Sequence, residues 1–202
     1  MAYREPSAAA ASYTELIARE SELRQRLAAG DGVAFRTLYD GQAPRLLRLL
    51  MRLLGDGGLA EEILQDTFLA AYESVGKFRG EATLASWLAR IALRRALNAR
   101  RARARRKEEA LEQVEMPDEV TQTAQSGLEG RDLARRVLTL MERLEPRKRQ
   151  ALLLQAEGYT ASEIADIEGE PRGTILARLF RARAELVELA AAEGLTPEGG
   201  AP

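Results

Sequence analysis

"GYTASEIADIEGEPRGTILARLFRAR", Gly158 to Arg183, decides how this chain is read. Thr160 and Glu163 have the spacing of a capping box, in which a hydroxyl and a carboxylate each satisfy the other residue's backbone N–H. Ile164 and Ile167 follow at helical spacing, and Gly169-Glu170-Pro171 reads as a turn. A second helix is predicted from Arg172 to Ala192. A capped helix, a glycine-containing turn and a second helix make a helix-turn-helix, whose second helix enters a DNA major groove. Arg172, Arg178, Arg181 and Arg183 are its candidate phosphate contacts. Two-helix hairpins also serve purely structural ends, so this stretch alone leaves both readings open. Glu168 and Glu170 stand where such a unit is expected to be apolar. Leu176 and Ala177 stand where polar base readers are expected, so recognition there would be apolar, as against a thymine methyl.

The composition around this stretch narrows the classes. The chain has 202 residues, room for one medium domain or two small ones. Ala, Leu, Arg and Glu dominate, all strong helix formers, and no segment alternates as a strand would. Cysteine and histidine are both absent. That removes disulfides, thiolate sites, the commonest metal ligand and the commonest general base. No enzyme activity, catalytic residue, metal or cofactor is therefore expected. No apolar run approaches the ~20 residues of a membrane span. The N-terminus lacks the apolar core of a signal peptide, and a cytoplasmic location is expected.

Net charge is −1, but its distribution is uneven. Nine basic residues and no acidic one lie between Arg90 and Lys107, which leaves 21 basic against 31 acidic residues elsewhere. A basic stripe on an acidic body points to a localised polyanion site. Arg90, Arg94, Arg101 and Arg105 fall near one line at helical spacing and can track phosphates. The plainer alternative is a solvated helix end that balances the acidic body.

The periodicity predicts an all-α chain of two small domains, 13–107 and 131–192. They are joined by an acidic flexible linker at 108–130, with a disordered extension at 1–12 and a tail at 193–202. The first domain begins with a helix from Tyr13 to Ala29, closed by Gly30. A short helix capped by Asp31 follows, then a separate one from Arg45 to Leu54 with Pro44 near its start. "GDGG" at 55–58 is a break. Leu59 to Val75 is the next helix, with Ile63, Leu64, Phe68, Ala71, Tyr72 and Val75 on its apolar face. Glu61, Glu62, Gln65 and Asp66 lie on another face, either solvated or fit for docking a partner. "GKFRGEAT", 76–83, is a loop, and Thr83 caps a long helix with Leu84, Trp87, Leu88 and Ile91 buried. Aromatic rings beside arginines can stack unpaired bases. Phe68, Tyr72 and Trp87 read as core, which leaves Phe78 as the exposed candidate. In the second domain, apolar residues recur from Leu133 to Leu144, and Pro146 opens a further helix.

Together these segments resemble the bacterial RNA polymerase sigma factors of the sigma-70 family, most closely the two-domain extracytoplasmic-function (ECF) group. "DGVAFRTLYDGQAPRLLRLLMRLLGDGGLAEEILQDTFLAAYESVGKFRGEATLASWLARIALRRALN", 31–98, follows the first conserved domain. "LEPRKRQALLLQAEGYTASEIADIEGEPRGTILARLFRARAEL", 144–186, follows the second. The resemblance implies that Glu61, Glu62, Gln65 and Asp66 dock on the beta and beta-prime subunits of core RNA polymerase. It implies that Lys77, Phe78, Arg79, Trp87, Arg90, Arg94, Arg95 and Arg101 bind and melt the −10 element of promoter DNA. A base flipped from the duplex there costs a few kcal/mol of stacking, which phosphate contacts can offset. It implies that Thr160, Arg172, Thr174, Leu176, Ala177, Arg178, Arg181 and Arg183 read the −35 element. The acidic linker would thread the polymerase cleft, and an anti-sigma factor is an expected partner. The chain departs from the family at Glu168, Glu170, Arg94 and the Leu176-Ala177 pair.

Two other readings stay open. One is a free-standing helix-turn-helix regulator, against which the acidic face and the loop of the first domain argue. The other is a sigma-like interaction protein that binds polymerase or an anti-sigma factor without reading DNA.

Overall fold

A computed structural model describes residues 8–111 and 128–195 of the chain. The first domain comprises α1 (Ala8–Ala28), α2 (Gly32–Leu54), α3 (Gly57–Ser74), a 3-10 turn (Val75–Lys77) and α4 (Leu84–Leu111). The second comprises α5 (Leu128–Glu142), α6 (Pro146–Ala156), α7 (Ala161–Glu168) and α8 (Arg172–Ala192). Among the described residues there is no strand, as the helix-forming composition predicts. None of these helices is long and apolar enough to cross a membrane.

Several boundaries differ from the sequence reading. Helix α1 starts at Ala8, inside the segment expected to be a disordered extension. Helices α4 and α5 reach Leu111 and Leu128, into both ends of the expected linker. The rest of that linker, 112–127, and the expected tail beyond residue 195 lie outside the described residues.

The larger difference is α2, which runs unbroken through Gly41 and Pro44, where two helices were expected. Interior glycine costs about 1 kcal/mol and interior proline about 3 kcal/mol. Against that, α2 buries Leu38, Leu46, Leu49, Leu50 and Leu53, at about 1.5–3 kcal/mol each. Burial therefore outweighs both breakers. Asp31 starts the helix by accepting from the N–H groups of Val33 (2.8 Å) and Ala34 (3.2 Å).

The core of the first domain is formed by that face of α2 with Ile63, Leu64 and Phe68 of α3 and Leu84, Leu88 and Leu93 of α4. Tyr72, expected in this core, is instead exposed, with its ring edge-on to Phe35. The second domain closes around Leu153, Leu154, Ile164, Ile175 and Leu179. The capping box at Thr160 and Glu163 is present, with both backbone bonds made. Gly169 ends α7 at φ +69°, a left-handed conformation that a side chain would strain.

Candidate nucleic-acid and partner interfaces

Helix α3 ends in the 3-10 turn, and the chain then crosses to α4 through a short loop. The loop sets Phe78 flat against Trp87, with ring centroids 4.9 Å apart and planes 25° apart. Phe78 is thus half-buried on a ring partner rather than free in solvent. Beside this stack opens a cavity of about 380 Å³, lined by Lys77, Phe78, Arg79, Trp87 and Arg90 with Ser74, Glu81 and Ala82. That volume is in the range of small-ligand clefts. Two aromatic faces with three cations at the rim suit an unpaired base and its flanking phosphates. The capping predicted at Thr83 is present: its hydroxyl oxygen accepts from Ser86 N–H at 3.1 Å.

Along α4, Arg90, Arg94 and Arg101 are exposed, while Arg95 is half-buried and donates to Asp66 of α3 at 3.2 Å. Asp66 and Arg95 were expected to serve different partners, yet they hold each other. The pair is partly exposed and worth about 0–1 kcal/mol, so a competing partner can separate it. Glu61, Glu62 and Gln65 are exposed and ready for contact. Leu69 and Tyr72 continue the same face of α3 and are also exposed. Their spacing from Gln65, at i+4 and i+7, is the signal that would have placed them there.

In the second domain the recognition face of α8 is narrower than the arginine count suggested. Arg172, Thr174, Leu176, Ala177, Arg181 and Arg183 are exposed. Arg178 is not: it is buried and bonds both Glu168 and Glu170, the latter at 2.5 Å. This corrects its assignment as a phosphate contact. Glu168, whose side chain is only 4% exposed, also accepts from Gln150 at 2.9 Å. Glu170 also accepts from Arg147 at 2.7 Å. The two glutamates that looked misplaced around the turn therefore tie α6, α7 and α8 together. Burial pushes the Glu168 carboxyl above the ordinary glutamate range, while its bonds to Gln150 and Arg178 pull the other way.

Thr160 is exposed, with its hydroxyl engaged by Glu163 in the capping box. Arg183 donates to Gln155 of α6 at 2.6 Å. Phe180 is 74% exposed and extends the apolar strip of Leu176 and Ala177 by one turn. Sequence reading passed over it, although it lies four residues beyond Leu176.

The two domains meet along α2 with α6 and α4 with α7. Glu157, just past α6, has a side chain 2% exposed and accepts from Arg52 at 2.6 Å and Arg48 at 3.0 Å. Arg45 donates to its backbone carbonyl at 2.6 Å and lies 3.4 Å over the Tyr159 ring. Burial raises the Tyr159 phenol to about 12. Arg90 donates to the carbonyl of Asp166 in α7. A cavity of about 840 Å³ lies between α4 and the second domain, with Arg90, Arg94, Asn98 and Arg101 on one wall and Arg147, Glu168 and Glu170 on the other. In this arrangement the basic stripe of α4 faces the helix-turn-helix. Among the described residues, no group of three or more acidic side chains is placed to hold a metal ion.

Two family models match the chain: Sigma-70 region 2 over residues 38–106 and Sigma-70, region 4 over residues 134–186. The ECF RNA polymerase sigma-E factor of Haemophilus influenzae is 33% identical over 178 residues, 84% of this chain and 93% of that protein. The RNA polymerase sigma-H factor of Pseudomonas aeruginosa is 29% identical over 186 residues, 82% of this chain and 90% of that protein. A chain in the co-crystal structure of the sigma factor RpoE with the anti-sigma factor NepR, from Bartonella quintana, superposes with a TM-score of 0.64. It is 27% identical, and the match covers 79% of this chain and 98% of that one.

Proposed function

The chain belongs to the ECF group of the sigma-70 family, and on that premise we propose that it is a dissociable specificity subunit of RNA polymerase, with no catalysis of its own. Residues 13–107 dock on the beta and beta-prime subunits and open the −10 element, and residues 131–192 engage the −35 element. One observation carries this reading: the Phe78–Trp87 stack and its cavity sit at the head of the helix that bears Arg90, Arg94 and Arg101. A base drawn from the duplex finds an aromatic face there, and its neighbouring phosphates find cations. The cost of unstacking, a few kcal/mol, falls on the same elements that recover it.

The acidic face of α3 presents Glu61, Glu62 and Gln65 to core polymerase, with Asp66 released from Arg95 on docking. On α8, Arg172, Arg181 and Arg183 supply phosphate contacts, and Leu176 and Ala177 supply apolar ones. Arg178 holds the turn instead of the DNA. DNA engagement by α4 requires the two domains to part, because Arg90 is occupied by the second domain in the arrangement described. The site of action is the cytoplasm, where polymerase and promoter DNA are, and an anti-sigma factor is the expected regulator.

A sigma-like protein that no longer reads DNA was suggested by glutamates beside the turn. Their inward bonds to Arg178 remove that motive, since neither is aimed at the DNA face. The test is run-off transcription with core polymerase and genomic promoters. A promoter-dependent transcript is expected. Core binding with no such transcript would return the reading to an interaction protein.

A further inference from the structure

Helix α1 lies upstream of the residues matched by the region 2 model. It runs beside the loop that carries Phe78. Its Glu20 carboxylate accepts the backbone N–H of Leu84, the first residue of α4, at 2.5 Å across 64 residues of sequence. A helix leaves its first N–H groups without internal partners, and a carboxylate there is favoured by the helix dipole as well. Thr83 serves Ser86, so Glu20 and Thr83 divide the work of capping.

One turn further along α1, Arg24 lies against Gly80, in the middle of the loop. A Cβ on Gly80 would stand 1.6 Å from Arg24 Nη1 and 2.7 Å from its Cζ. Gly80 also has φ +76°, a left-handed backbone that favours glycine. The guanidinium occupies the space a side chain would take. Arg24 thus braces the loop backbone between Phe78 and the start of α4, and Glu20 fixes that start three residues before Trp87.

We propose that Glu20 and Arg24 are positioning residues for the base-capture cavity, holding Phe78 and Trp87 at stacking distance before DNA arrives. This rests on the reading of that cavity as the −10 site. The physical basis is that a binding constellation gains from supports that lock its side chains in advance. A displacement of about 1 Å costs about 100-fold in a positioned reaction step.

Trp87 is the only tryptophan in the chain, so its fluorescence reports the stack directly. The experiment uses the full chain with Glu20→Ala, Arg24→Ala and Glu20→Gln, the last retaining an acceptor oxygen. The alanine variants are expected to expose Trp87 to acrylamide and shift its emission to the red, with circular dichroism showing retained helix. With core polymerase, permanganate reactivity of −10 thymines on a duplex promoter should fall roughly 10- to 100-fold. Core affinity should not change, and a template with a pre-opened −10 region should restore transcription. Glu20→Gln should recover most of the melting. Wild-type fluorescence and melting in both alanine variants would overturn the proposal. So would equal losses on duplex and pre-opened templates, which mark a merely structural role. If the wild-type chain melts no promoter, the functional reading fails, while the Trp87 signal still decides the bracing of the loop.

Discussion

Glu157→Ala should open the two-domain arrangement. The carboxylate is almost fully buried and carries two of the bonds that cross from α6 to α2. Arg52, at 2.6 Å and 35% exposed, makes a charge-assisted bond worth about 1.5–3 kcal/mol. Arg48 is 55% exposed, so its bond adds less than about 1 kcal/mol after solvent screening. Arg45 keeps its bond to the Glu157 carbonyl and its place over Tyr159 in the variant, because neither needs the carboxylate. The expected loss is therefore about 2–3 kcal/mol, a shift of about 30- to 150-fold towards the parted state. Since the chain has no cysteine, Thr37→Cys in α2 and Glu188→Cys in α8 give unique labelling sites, both on exposed residues. Energy transfer between the two labels should fall in the Glu157→Ala chain at low salt. In the parent it should fall only as salt is raised, because the pairs crossing the interface are ionic. Affinity of the free chain for a single-stranded −10 oligonucleotide should rise by the same factor that the open fraction rises, since Arg90 is released. Unchanged transfer and unchanged affinity would refute the reasoning and show that the interface holds without the Glu157 carboxylate, on its remaining bonds and apolar contacts.

Four further outcomes are expected. Arg178→Ala leaves the nearly buried Glu168 carboxylate without its cation, while Glu170 keeps Arg147, and should destabilise the second domain by about 3 kcal/mol in urea unfolding. Arg172→Ala and Arg181→Ala should stay within about 0.5 kcal/mol and weaken −35 binding instead. Because burial raises the Glu168 carboxyl, the folded state holds that proton more tightly than the unfolded state. Its contribution to stability is thus fully present below the ordinary value of 4.5 and is lost as pH rises through the higher folded value. Glu168→Gln should flatten that part of the stability–pH curve, measured by urea midpoints. Glu62→Arg with Asp66→Arg should abolish core binding in a pull-down with the unfolding midpoint little changed, since Glu62 is exposed and the Asp66–Arg95 pair is a weak one.

Most of the fold was legible in the chain because its signals are local. The capping box at Thr160, the cap at Thr83, the proline that opens α6 and the bounds of α8 each depend on residues within one turn of each other. Pro44 misled because local propensity and long-range burial oppose each other there, and only the packed leucines of α2 show which is larger. Tyr72 misled for a related reason: helical spacing puts it beside Phe68, but in the fold it meets the edge-on ring of Phe35 and stays 57% exposed.

The candidate sites divide along the same line. Sequence alone determined that the chain is helical, that it carries a helix-turn-helix, and that its basic residues are gathered between Arg90 and Lys107. These follow from residue type and short-range spacing. Tertiary structure decided which charges are free. Arg178 and Arg181 are both arginines on one helix, three residues apart, yet one is locked between two glutamates and the other faces solvent. Glu20 and Leu84 are 64 residues apart and form one hydrogen bond. A charge becomes a tether or a contact according to what the fold sets against it, and that neighbour is distant in the chain.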